Sequence, residues 1–324
     1  MSGAMLFRPT KALSFNKIQV KSMKYAIDKQ FGIWRYARQP VMGKWFFKLG
    51  EKMVNTQKYF STIKNIQVAN IEHITPDGYA LKSYLITPQR VTSNAVILYL
   101  HGGGFCFKGS DAHVANAVKY AEGVGCKLLF VDYRLAHNHP YPTPEEDCIL
   151  MYKYLIDNAE ELGISVQNII VAGDSAGGNL SLGVYYATCR QGLPKPAGLM
   201  LIYPVVDNKM QTASMKQFVD TPMWHAKLNQ AMWDTYLPTK EAANLFAQNH
   251  VDANLYAAFP KTYIESAQFD CLRDEALALA DKLQQAGVDV TLNQTQGTMH
   301  GYDQVDCQIS RENIQKRMDW LVSL

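Results

Sequence analysis

The stretch Ile169-Ile170-Val171-Ala172-Gly173-Asp174-Ser175-Ala176-Gly177-Gly178-Asn179 carries the most specific chemistry in this 324-residue chain. A short apolar run leads into G-x-S-x-G, and a helix-compatible run follows. That context presents a serine hydroxyl on a tight strand-to-helix turn above a sheet, where it can attack a carbonyl carbon. Gly173 and Gly177 have a steric task there, because side chains at either position would crowd the turn. A Gly-rich turn with a merely capping serine would explain the residue types, but not their placement between a strand and a helix.

A serine hydroxyl is a weak nucleophile at neutral pH and needs a base that is itself oriented by an acid. His300, in Gly297-Thr298-Met299-His300-Gly301-Tyr302, follows the last strand candidate and is the expected base. The acid should end the preceding strand, where Asp270, Asp274 and Glu275 are available. Asp270 comes first, at the carboxyl side where catalytic groups of open α/β sheets collect. Asp274 and Glu275 suit the first turn of the next helix, where the dipole favours negative charge. Upstream, Val96 to Leu100 runs into His101-Gly102-Gly103-Gly104-Phe105. Backbone N–H groups on such a glycine loop can stabilise an oxyanion, so Gly103, Gly104 and the amide of Ala176 are the expected donors. The loop lacks the patterns of a nucleotide-phosphate or dinucleotide site.

These residues need a sheet to position them. Two alternating segments, 66–74 and 79–87, flank Thr75-Pro76-Asp77-Gly78 and predict an antiparallel hairpin at a sheet edge. Short apolar runs follow at 95–100, 128–131, 168–172, 199–203, 262–266 and 288–293, separated by helical stretches near 111–122, 144–161, 176–190 and 274–286, with a last helix near 310–321. That alternation predicts βαβ crossovers and a mostly parallel central sheet covered by helices on both faces. Thr143 as N-cap with Glu146 reads as a capping box opening one helix. Two regions break the alternation: about 1–63, read as two or three helices, and about 207–258, rich in Met, Trp and Tyr. Both are read as a helical cap on a single domain spanning 1–324, with Phe105, Phe218 and Trp224 as candidate substrate-pocket walls.

Composition narrows the function. A 48% hydrophobic, 19% charged chain can bury a large core, and a net charge of +3 with interspersed signs argues against nucleic acid as a partner. The basic, aromatic stretch Lys17 to Arg38 fits a helix lying on the protein's own surface, with a membrane-surface helix as the alternative. No apolar run reaches the roughly 20 residues of a membrane span, and no signal-peptide core forms, so a cytoplasmic location without stable membrane insertion is expected. Six dispersed cysteines form no C-x-x-C pair or metal spacing, and no metal is expected.

Taken together, His101-Gly102-Gly103-Gly104, Asp132-Tyr133-Arg134-Leu135, Gly173-Asp174-Ser175-Ala176-Gly177, Asp270-x-Leu272-x-Asp274 and His300-Gly301-Tyr302 resemble, in order, the hormone-sensitive lipase family of the α/β-hydrolase fold, the bacterial esterases with an HGGG motif. The resemblance covers about 94–324. It implies a carboxylesterase acting on small-molecule esters with short to medium acyl chains, a Ser-His-Asp triad, an acyl-enzyme intermediate and no cofactor. One departure is His137-Asn138-His139-Pro140, where many relatives have Pro-Glu-His-Pro. Long-chain lipase, amidase and a non-catalytic binding member of the fold are the alternatives, and self-association stays open.

Overall fold

The computed structural model describes residues 24–41, 54–64, 66–250 and 253–324. Among them, eight strands form one sheet in the order β1-β2-β4-β3-β5-β6-β7-β8. The hairpin β1 (Ile66–Ile74) and β2 (Ala80–Pro88) is antiparallel, β2 pairs antiparallel with β4 (Lys127–Val131), and the other pairings are parallel. These join β3 (Val96–Leu100), β5 (Ile169–Asp174), β6 (Gly198–Ile202), β7 (Lys261–Phe269) and β8 (Val290–Met299).

The central strands are apolar throughout because both of their faces are covered. Every residue of β3, β5 and β6 is buried. Each fully buried Leu, Ile or Val contributes about 1.5–3 kcal/mol by leaving water, so these strands anchor the fold. The expected alternation supplies α2 (Asp111–Val124), α3 (Thr143–Asp157), α4 (Ala176–Gln191), α8 (Arg273–Gln285) and α9 (Gln308–Val322), whereas α1 (Thr56–Thr62), α5 (Ala213–Gln217), α6 (Ala226–Tyr236) and α7 (Lys240–His250) fall in the two regions outside it. No described helix is long and apolar enough to cross a membrane.

Three local expectations change. Helix α3 begins one residue earlier than its capping box implies. Pro142 is the N-cap, its carbonyl accepts from the N–H groups of Glu145 and Glu146, and Thr143 makes no cap bond. Pro144 then falls in the first turn, where its missing N–H costs nothing. Strand β8 runs six residues past its expected end at 293, to Met299 directly before His300. The expected N-terminal helices lie largely outside the described residues. Those described comprise a 3-10 segment, Lys29–Tyr36, and α1.

Both regions outside the alternation meet near the carboxyl ends of the strands. Asp28 N–H donates to Gly297 O at 2.8 Å, and Met223 N–H donates to Ala37 O at 2.9 Å. His225 Nε2 lies 2.9 Å from Gln39 O, and Thr56 Oγ1 donates to Gly109 O at 3.0 Å.

Candidate active site

Strand β5 ends at Asp174 and α4 begins at Ala176, so the chain reverses at a single residue, Ser175, with φ 56° and ψ −116°. A non-glycine residue at positive φ is strained and persists only where the surroundings over-determine it. Here Ser175 N–H donates to Ile202 O at 2.8 Å, and its carbonyl accepts from Gly178 and Val205 N–H, each at 3.0 Å. The flanking glycines are required by close approach. A Cβ on Gly177 would collide with Leu100 O, and one on Gly173 with Gly177 O.

His300 follows β8 directly, and its Nε2 lies 2.9 Å from Ser175 Oγ while its Nδ1 lies 2.7 Å from Asp270 Oδ2. Asp270 is fully buried, and its other oxygen accepts from Leu272 N–H at 3.0 Å. The neighbouring carboxylates are engaged elsewhere. Asp274 accepts from Ser214 N–H at 2.7 Å and from Arg273 Nε at 2.8 Å, whereas Glu275 accepts from Val206 N–H at 2.6 Å. The geometry therefore brings Ser175, His300 and Asp270 into one hydrogen-bonded line and leaves Asp274 out of it.

Gly103 and Gly104, at φ 115° and 59°, line the cavity beside Ser175. Among the described residues, neither of their N–H groups donates a hydrogen bond in the loop. Ala176, the first residue of α4, has an N–H with no partner one turn back in its helix. Gly102 N–H, in contrast, is taken by Asp174 Oδ1 at 3.0 Å.

Asp174 anchors this loop. It also accepts from Tyr99 OH at 2.8 Å and lies 3.1 Å from His113 Nε2. Burial alone would raise the Asp174 carboxyl, but His113 and the hydrogen bonds outweigh it and hold it down to about 2. Burial lowers His113 as well, and the attraction of Asp174 more than reverses that, so His113 is raised. His101, stacked on Tyr133 at 4.3 Å, is pushed down to about 3 by burial, which keeps it neutral.

A second buried network holds the other side. Arg317 is fully buried and pairs with Glu265 and, at 2.6 Å, with Asp303. Tyr203 OH donates to Asp303 at 2.5 Å, and the Tyr203 ring packs edge-on against His300 at 4.7 Å. Buried charges persist only when paired and hydrogen-bonded. This pairing ties the loop after His300 to β6, β7 and α9.

The cavity above Ser175 has a volume of about 310 Å³. Trp224 lines it as expected, with its ring 6.0 Å from that of His300, and a Cβ on Gly104 would lie 2.6 Å from Trp224 Cη2. Phe105 and Phe218 do not line it. Phe105, at φ 57°, turns inward and stacks on Tyr236 at 3.8 Å, so it anchors the glycine loop from below. Phe218 packs edge-on against Tyr25 at 5.6 Å and Phe269 at 6.3 Å with Arg273 over its ring, between the N-terminal segment and the end of β7. Phe107, Tyr203, Met223 and Leu228 take the places those two were expected to fill. Tyr203 could have been found, because it directly follows a parallel strand at the ligand-binding edge.

A family profile for the α/β-hydrolase fold matches residues 97–304, more than half of the chain. The chain belongs to that family, and within it to the esterases related to hormone-sensitive lipase that its motifs resemble. It is 32% identical over 213 residues to the carboxylesterase NlhH of Mycobacterium tuberculosis, covering 64% of this chain and 66% of that protein, just under two thirds of its length. It is 30% identical over 244 residues to an ethyl acetate hydrolase of Pseudomonas putida, covering 72% of this chain and 75% of that one. Among solved structures, the esterase LipW from Mycobacterium marinum has a TM-score of 0.82 at 26% identity, covering 92% of this chain and 96% of that one.

Proposed function

We propose that this chain is a carboxylic ester hydrolase for short- to medium-chain acyl esters. The observation that carries the reading is the line Ser175 Oγ, His300 Nε2 at 2.9 Å, and His300 Nδ1 to Asp270 at 2.7 Å, at the floor of a cavity beside an N–H-bearing glycine loop. His300 takes the serine proton as Oγ attacks the ester carbon. Asp270 steadies the imidazolium, and Gly103, Gly104 and Ala176 N–H groups bind the oxyanion. Collapse expels the alcohol, protonated by His300, and leaves an acyl-enzyme. Water activated by the same histidine then releases the acid.

The N-terminal segment and the insertion act as a cap in this reading. Gln39, Val54, Met223, Trp224 and Leu228 line the cavity from those two regions. A cavity walled in this way has finite depth. Each methylene that fits should gain about 0.8 kcal/mol by leaving water, and those beyond its depth must stay exposed or displace the cap. The Pseudomonas putida relative is named for ethyl acetate, a short ester, which supports the same preference. For 4-nitrophenyl esters from acetate to palmitate, kcat/KM should rise and then fall, with a maximum between about C2 and C8. A steady climb to palmitate, with a jump at an oil–water interface, would instead identify a lipase. Faster cleavage of an anilide than of the matched ester would identify an amidase.

A further inference from the structure

The wall of the cavity is mixed. Phe107, Met223, Trp224 and Leu228 make one part apolar, whereas Gln39, Lys108 and Gln304 bring polar side chains to it. Lys108 follows the glycine loop by four residues and is half-buried. Among the described residues it has no ion pair or side-chain hydrogen bond. The one acid in the described lining, Asp174, already accepts from Tyr99, Gly102 and His113, so it offers Lys108 no counter-charge. The side-chain amides of Gln39 and Gln304 likewise bond to no described group. The Lys108 charge also reaches the buried His101 ring, whose protonation it opposes.

A half-buried ammonium beside apolar walls, with no counter-charge among the described residues, suits an anionic partner. We propose that the preferred substrates are esters bearing a second, anionic group, a carboxylate a few carbons from the scissile bond. Lys108 binds that carboxylate, and the Gln39 and Gln304 amides supply further donors. The carboxylate gives the ammonium a partner of opposite charge, while the intervening methylenes lie against Met223, Trp224 and Leu228. A neutral ester of equal length offers Lys108 no such partner. This inference rests on the ester-hydrolase reading and specifies its substrate.

The test compares ethyl hydrogen adipate with ethyl hexanoate, matched in acyl length and differing in the terminal carboxylate, with the full chain at neutral pH and low salt in a pH-stat. The readout is the ratio of kcat/KM for the anionic ester to that for the neutral one, in which any general loss of activity cancels. In the wild type the ratio should exceed one. It should fall about tenfold in Lys108→Met and further in Lys108→Glu, and it should shrink as ionic strength rises. A ratio unchanged by both substitutions, with ethyl hexanoate still hydrolysed, would overturn the anion site and leave the esterase reading intact. Failure of the wild type to cleave either ester would overturn both.

Discussion

Alanine at position 175 should remove ester hydrolysis, lowering kcat by about 10⁵- to 10⁶-fold while the protein stays folded. The hydroxyl hydrogen-bonds to His300 and contributes little packing, whereas the turn that presents it is held by backbone bonds to Ile202, Gly178 and Val205. Alanine keeps those bonds and has the same Cβ at φ 56°. Turnover of 4-nitrophenyl butyrate, read beside the thermal midpoint, separates lost chemistry from lost structure. A folded variant with near wild-type turnover would mean that a different group attacks.

Asp270→Asn should lower kcat by about 10⁴-fold. In the native site, Oδ1 accepts from Leu272 N–H and Oδ2 accepts from His300 Nδ1. Asparagine can keep the bond to Leu272 only by turning its NH₂ toward Nδ1. The imidazole proton then moves to Nε2, which can no longer accept the proton of Ser175. Binding contacts are untouched, so KM should change little. Asp274→Asn is the matched control. It loosens contacts to Ser214 and Arg273, remote from the histidine, and should leave kcat within a few-fold of wild type. A larger loss at 274 than at 270 would mean that the acid is misassigned.

Position relative to a strand end, which sets Asp270 apart from Asp274 in the sequence, is a topological property, and topology leaves a strong trace in apolar periodicity. Buried parallel strands such as β3 and β5 must be apolar on both faces, so their bounds could be read almost to the residue. The end of β8 could not. Gln294, Gln296 and Gly297 are polar or turn-forming, and they continue the strand at the sheet's edge, where one side is unpaired. Side-chain direction within loops was also hidden. Phe105 adjoins the glycine loop in sequence, yet its positive φ sends the ring away from the cavity. The Arg317 network joins groups 52 and 14 residues apart, a separation that no local pattern records. Its one trace is Glu265, a charge in the middle of an otherwise buried strand, which requires a buried partner.

Covalent capture reports directly on whether Ser175 is the nucleophile of an esterase. The purified protein would be incubated with diethyl 4-nitrophenyl phosphate, an ester mimic that phosphorylates an activated serine, and then examined by intact-mass analysis and peptide mapping. The expected result is one diethylphosphoryl group per chain, located on Ser175, formed with loss of activity, absent in Ser175→Ala and much slower in Asp270→Asn. A stoichiometric label on any other residue that abolishes activity, or full inactivation with Ser175 unmodified, would contradict it.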